Sequence, residues 1–153
     1  MTVKYYNIYK TSLGTFAIAE EDGMITEFNL TGKCEGMLME TPLIKEAFSQ
    51  LQDYLAQKRL AFDLPLNPKG TPFQKQVWEA LLAIPYGGTK TYKEIAAAIN
   101  NPKALRAVGM ANNKNPIAIM IPCHRVVGSN GKLVGYAGGL EMKEQLLKLE
   151  GVR

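Results

Sequence analysis

The sequence predicts a small α/β domain followed by a mainly helical domain built around a helix-turn-helix. Three observations carry that prediction: an extended, aromatic and β-branched opening, a Pro-rich break near Asn67, and two short capped helices joined by a tight turn. The domains are expected at residues 1–66 and 67–153.

The opening segment YYNIYKTSLGTFAIAEEDGMITEFNL mixes β-branched and aromatic residues, and EEDG marks a turn between two strands of a small antiparallel sheet. TPLIKEAFSQLQDYLAQK then offers Thr41 as an N-cap and Pro42 at the first helical position. Leu43, Ala47, Leu51, Tyr54 and Leu55 fall at helical spacing, so one helix should cover a face of the sheet. LAFDLPLNPKGTP, with three prolines and a glycine, ends this region.

Beyond it the texture changes to short helices. TPFQKQVWEALLAI repeats the Thr-Pro start and carries Phe73, Val77, Leu81 and Ile84 on one stripe, with Trp78 beside it. TYKEIAAAI is capped by Thr91, with Glu94 three residues on completing a capping box. NNPK makes the turn, and ALRAVGMANNKN is the next helix, so the pair reads as a helix-turn-helix.

Composition bounds the chemistry. A chain of 153 residues with 46% apolar residues can bury a core unaided. A formal charge of +4 permits contact with phosphates without demonstrating it. No apolar run is long enough to cross a bilayer, and the first residues lack the apolar stretch of a signal peptide, so a cytoplasmic protein without membrane attachment is expected. Two cysteines and one histidine fall short of the four ligands of a structural zinc, and no metal or other cofactor is expected.

The chemistry concentrates in NPIAIMIPCHRVVGSNGKLVGYAGG, where an apolar run delivers Cys123 beside the only histidine, His124. A thiol attacks as thiolate, and a neighbouring imidazole, the cationic Arg125 or a helix N-terminus can lower its pKa. In a regular strand residues 123 and 124 would face opposite ways, so a direct contact needs a turn at Pro122 or a bridging water. Read alone, the pair fits a buried structural thiol and a core histidine, a hydrolase nucleophile, or a regulator without chemistry. Glycines between residues 135 and 139 mark a place where a ligand can approach backbone. Cys34, in TGKCEGM, has no such company.

The helix carrying Arg106 is unusual for a sequence reader. Ala104, Ala107, Gly109 and Ala111 leave a smooth face on which the backbone can press into a narrow groove, and Arg106 is its one long cation. Arg106 either enters the base stack or contacts phosphate; both imply DNA binding with little sequence preference.

IPCHRVV, preceded by RAVGMANNKNP and followed by GYAGG and KEQLLKLEG, resembles the signature of O6-alkylguanine-DNA alkyltransferases, also called methylated-DNA–protein-cysteine methyltransferases. The resemblance runs from about Phe73 to Gly151 and, more loosely, through the N-terminal segment. It implies a ribonuclease-H-like first domain and a winged helix-turn-helix-like second domain that both binds DNA and carries the chemistry. It also implies DNA repair by irreversible, single-turnover transfer of a methyl or other alkyl group from O6-alkylguanine, with O4-alkylthymine as a further candidate substrate.

Carried over residue by residue, the resemblance makes Cys123 the alkyl acceptor, His124 the base that takes its proton through a water, and Glu150 the group that orients the imidazole. Tyr92 would donate toward the departing guanine, and Asn115 would brace the link between recognition helix and active-site loop. Arg106 would replace the flipped nucleotide, with Ala107, Tyr92 and Arg125 as further DNA contacts. Tyr136, Ala137, Val126 and Gly138 would line the base pocket. The expected partner is double-stranded DNA containing alkylated guanine, bound by a monomer. Ala137 stands where some relatives carry Ser, leaving only a backbone N–H there. The zinc ligands of some relatives are absent, and Cys123 is retained where binding-only relatives replace it, often with tryptophan.

Overall fold

The computed structural model describes residues 2–152, which divide into two compact units. The first holds the residues up to Lys69 together with Pro116–Met120; the second holds Gly70–Asn115 and the residues from Ile121 onward. The break thus falls just beyond the expected one at Asn67. The return of 116–120 to the first unit is invisible in the sequence because it depends on a long-range pairing.

In the first unit, β1 (Tyr5–Thr11), β2 (Gly14–Glu21), β3 (Met24–Asn29) and β4 (Met37–Leu38) form one sheet in the order β3-β2-β1-β4. The Asp-Gly turn of EEDG behaves as read. Asp22 and Gly23 both adopt positive φ, 53° and 76°, as a two-residue hairpin between right-twisted strands requires. The expected two strands are three, because a second tight turn at Ser12-Leu13 divides the opening segment. The sheet is also mixed rather than purely antiparallel, since β4 runs parallel to β1.

Central β2 buries Phe16, Ala17, Ile18 and Ala19 in succession, as a strand covered on both faces does. Helix α1 (Pro42–Leu55) starts where Thr41 accepts a hydrogen bond from the Ile44 N–H, and Pro42 costs nothing at a position with no intrahelical donor to lose. It buries Ile44, Ala47, Leu51 and Tyr54. Leu43 and Leu55, expected in the same stripe, lie half-buried at its margins. Along β3, the Phe28 N–H donates to the Pro116 carbonyl and the Ala118 N–H to that of Phe28, at 2.8 and 3.0 Å, which holds 116–120 in this unit.

The second unit contains α2 (Pro72–Leu82), α3 (Tyr92–Ala98), α4 (Leu105–Asn113) and α5 (Leu140–Leu149), with a two-stranded parallel ribbon of β5 (Lys90–Thr91) and β6 (Val126–Val127). Both Thr-started helices carry a complete capping box, Thr71 with Gln74 and Thr91 with Glu94. Each cap contributes about 1 kcal/mol. Helix α2 buries Val77, Trp78 and Leu81, and the Trp78 indole N–H donates to the Ala111 carbonyl at 2.9 Å, which fixes α4 against α2. Among the described residues no helix is long and apolar enough to cross a membrane.

Candidate active site

Pro122 decides how the cysteine is presented. Its φ of −81° and ψ of 65° make it the centre of an inverse γ-turn, closed by the Cys123 N–H donating to the Ile121 carbonyl at 2.8 Å. The Arg125 N–H then donates to the Pro122 carbonyl at 3.0 Å, and Cys123–Arg125 form one turn of 3-10 helix before β6. The turn that a Cys-His contact requires therefore exists, and it keeps residues 123 and 124 from pointing to opposite faces of a strand.

His124 is fully buried, and its Nε2 lies 2.8 Å from Glu150 Oε2. Glu150 closes α5, 26 residues away in sequence. Arg125 grips the same carboxylate in a fork, Nε to Oε1 at 2.8 Å and Nη2 to Oε2 at 3.0 Å, and its Nη1 donates to the Ile84 carbonyl at 2.6 Å. Only 8% of Arg125 is exposed. Its expected role as a DNA contact is therefore corrected: all three of these nitrogens are spent inside the fold, where a guanidinium must be paired to be buried at all.

Because Nε2 faces a carboxylate, the imidazole is oriented with its N–H toward Glu150, leaving Nδ1 as a lone-pair acceptor. Nδ1 is buried and has no hydrogen-bond partner among the described residues. Burial pushes the His124 pKa down, against the pull of Glu150, and the Arg125 and Lys143 charges push the same way, so the ring is neutral at neutral pH.

Cys123 is 4% exposed. Burial is the largest influence on its thiol and pushes the pKa up, opposed by the Asn115 side chain, by the Lys143 charge and by its own and His124's backbone N–H groups. The free protein thus holds a protonated sulfur at neutral pH. The surroundings are nonetheless polar. Asn115 donates from Nδ2 to the Ile121 carbonyl at 2.8 Å, across the γ-turn, and Asn112 donates to the Cys123 carbonyl at 3.4 Å.

Tyr92, the first residue of α3, is half-buried; its hydroxyl donates to the Val134 carbonyl at 3.0 Å. Burial and the nearby Cys123 charge raise its pKa, with a hydrogen bond from Asn112 opposing, so it stays a proton donor. Gly135 has φ of 55°, and a Cβ there would lie 3.5 Å from the Tyr92 hydroxyl. Tyr136 and Gly138 are half-buried and Ala137 is exposed in the same loop. Val126, expected in the pocket wall, is corrected: it has no exposed surface and pairs with Lys90 in the β5–β6 ribbon.

Arg106 and Ala107 are both exposed on α4, with Leu105 and Met110. Two side chains at the site escaped sequence reasoning. Asn112 looked like ordinary helix surface, and Lys143 like one of many solvated lysines, yet Lys143 is fully buried with Nζ 2.9 Å from the Val134 carbonyl and 3.3 Å from that of Gly135. A broad groove of about 780 Å³ between α2 and α3, lined in part by Ala80, Ile84, Ile95 and Ala98, includes none of these groups. Among the described residues no cluster of three or more His, Cys, Asp or Glu side chains could hold a metal ion.

This unit thus holds a protonated thiol, a buried neutral imidazole tied to a carboxylate, and a tyrosine that stays a proton donor. Comparison with known proteins gives the same constellation a family. Residues 72–152 match the model of the 6-O-methylguanine DNA methyltransferase DNA-binding domain, and residues 4–68 that of the ribonuclease-like domain of the same proteins. The chain is 51% identical to a methylated-DNA–protein-cysteine methyltransferase of Methanosarcina acetivorans, over 96% of this chain and 98% of that one. It is 46% identical to the constitutive enzyme of that name from Bacillus subtilis, over 98% and 97%. A crystal structure of Mycobacterium tuberculosis OGT in complex with DNA superposes with a TM-score of 0.89 at 42% identity, covering 95% of this chain and 92% of that one. With the two family models together matching residues 4–68 and 72–152, the chain belongs to the 6-O-methylguanine DNA methyltransferase family.

Proposed function

We propose that this protein repairs DNA by moving a methyl or other alkyl group from guanine O6 onto the sulfur of Cys123, once per molecule. The observation that carries the assignment is the buried relay: a neutral His124 with Nε2 tied to Glu150 and Nδ1 unpartnered, one residue from a protonated thiol.

The target atom lies inside the duplex, so the nucleotide must leave the stack, at a cost of a few kcal/mol. The exposed face of α4, which carries Arg106 and Ala107, enters a minor groove, where Arg106 fills the space of the missing base and Ala107 lets the helix backbone approach. Phosphate contacts offset the rest, and binding weakens as salt rises. The extruded base enters beside Tyr136, Ala137 and Gly138.

His124 Nδ1 accepts the Cys123 proton through a bridging water. The thiolate attacks the alkyl carbon in line, the new S–C bond forms as the C–O6 bond breaks, and the electron pair returns to the purine. Tyr92 exchanges the Val134 carbonyl for a purine ring nitrogen and supplies the proton that lets the base depart as neutral guanine. Burial keeps the sulfur protonated in the free protein, which spares the thiol from adventitious electrophiles. The thioether product resists hydrolysis, so the reaction has no return path. Every group named lies on one chain, consistent with a monomer, and we place it in the cytoplasm.

The test is direct. A duplex oligonucleotide carrying one O6-methylguanine is incubated with the protein and the intact mass followed. One added methyl on the Cys123 peptide, saturating at one equivalent and absent in Cys123→Ser, is expected. Multiple turnover, or tight binding with no mass change, would refute the assignment.

A further inference from the structure

The exposed face of α4 is not the smooth one that its small residues predict. Ala111 is buried and Ala104 and Gly109 are half-buried, so of the four only Ala107 is exposed. Val108, Ala111 and Asn112 turn inward and fix the opposite side of the helix as the free one. At about 100° per residue, that free side is centred on Arg106 and Met110. Met110 is 60% exposed, more than any other large apolar side chain among the described residues of this unit.

A flexible apolar side chain held in water gains by being covered, and its surroundings select what covers it. Lys103, Arg106 and Lys114 are all exposed around it, and the sequence has no Asp or Glu between Glu94 and Glu141. The fitting occupant is anionic at its rim and apolar between. A DNA minor groove has that chemistry, with phosphates along both edges and deoxyribose and base edges on its walls and floor.

Met110 stands one turn beyond Arg106, about 6 Å along the helix axis and about 40° round it, so the two side chains form neighbouring prongs. A minor groove about 6 Å wide is narrower than a helix with its side chains, about 10 Å across, and has to open before α4 can enter. A long apolar side chain inserted at a base step opens it. Arg106, which fills the space of the missing base, acts only once that space exists.

We propose that Met110 is an apolar wedge in the DNA minor groove: it inserts beside the extruded nucleotide and unstacks the neighbouring base step, which lowers the cost of flipping. This rests on the alkyltransferase reading, in which α4 enters that groove. The wedge touches sugars and base edges rather than phosphates, so it adds affinity without adding salt dependence. It acts on stacking, so it matters for a duplex and much less for a single strand.

Wild type, Met110→Ala, Met110→Gln and Met110→Leu are compared by fluorescence anisotropy against salt, and by single-turnover methyl transfer from O6-methylguanine in duplex and in single-stranded DNA. The Ala and Gln variants should each bind duplex about tenfold more weakly at every salt concentration, with the wild-type slope. Duplex transfer at subsaturating protein should slow by a similar factor, and the defect should shrink to less than about threefold on the single strand. Met110→Leu, apolar and close in size, should bind as wild type does. Because the side chain is exposed, all three variants should melt within about 2 °C of wild type. Undiminished duplex binding in Met110→Ala, wild-type binding in Met110→Gln, a flattened salt slope, or an equal loss on the single strand would each overturn the proposal. Wild-type protein that leaves the duplex methylated would sink the assignment of function as well; normal transfer with unaffected variants sinks only the wedge.

Discussion

Glu150→Gln isolates the carboxylate that ties the site together. In the native protein Oε1 accepts from Arg125 Nε, while Oε2 accepts from both Arg125 Nη2 and His124 Nε2. An amide has one oxygen. Placed at the Oε1 position, its NH2 group meets the Arg125 Nε–H; placed at Oε2, it meets two donors at once. Either orientation sets donor against donor, and the buried guanidinium loses its counter-charge, keeping the one amide oxygen and the Ile84 carbonyl as neutral acceptors.

Removing one member of such a buried pair costs about 3–5 kcal/mol. For a chain of this length each kcal/mol lowers Tm by about 2–4 °C, so the low end of that range corresponds to a drop of about 6–12 °C. The chemistry should suffer separately. Without the carboxylate, burial pulls the His124 pKa lower still and the tautomer with Nδ1 free is no longer enforced, so a general-base contribution of about a hundredfold is lost. Thermal melts and single-turnover methyl transfer, compared on the folded variant well below its Tm, measure the two effects. A variant that melts within about 2 °C of wild type and transfers at an undiminished rate would refute both the buried-pair energetics and the relay.

Arg106→Ala and Arg125→Ala should part company despite the equal charge removed: the first should weaken duplex binding and flatten its salt dependence by about one phosphate contact with little change in Tm, the second should lower Tm and leave the salt slope alone. Fluorescence anisotropy against salt separates them, and a flattened slope in Arg125→Ala would restore its role as a DNA contact. Because His124 is held below its ordinary pKa, the unfolded chain binds its proton first. The stability from the neutral ring is therefore present above about pH 6.5 and is lost as pH falls toward the lower folded value. Chemical denaturation of wild type and His124→Gln between pH 7.5 and 5, on the order of that window, should show a fall confined to wild type; parallel curves would contradict a buried neutral imidazole.

What was legible in the sequence was local. Thr41, Thr71 and Thr91 announced their helices because a cap is a contact over three residues, and Asp22-Gly23 announced its hairpin because only a few residues accept positive φ. Cys123 and His124 stood out by adjacency, and Pro122 by fixing φ where a turn was needed. The second hairpin at Ser12-Leu13 escaped because it lacks the Asx-Gly signal that marked the first.

Everything that makes those residues a site was settled at long range. Glu150 reaches His124 across 26 residues and Tyr92 reaches Val134 across 42, distances over which no periodicity or cap carries information. Arg125 looked like a surface cation in a basic chain, and only the packing of α5 against the 3-10 turn turned it inward to Glu150. Lys143 is the sharper case: sequence assigns a lysine to solvent because its burial is costly, and only the folded chain brings two backbone carbonyls to the same ammonium.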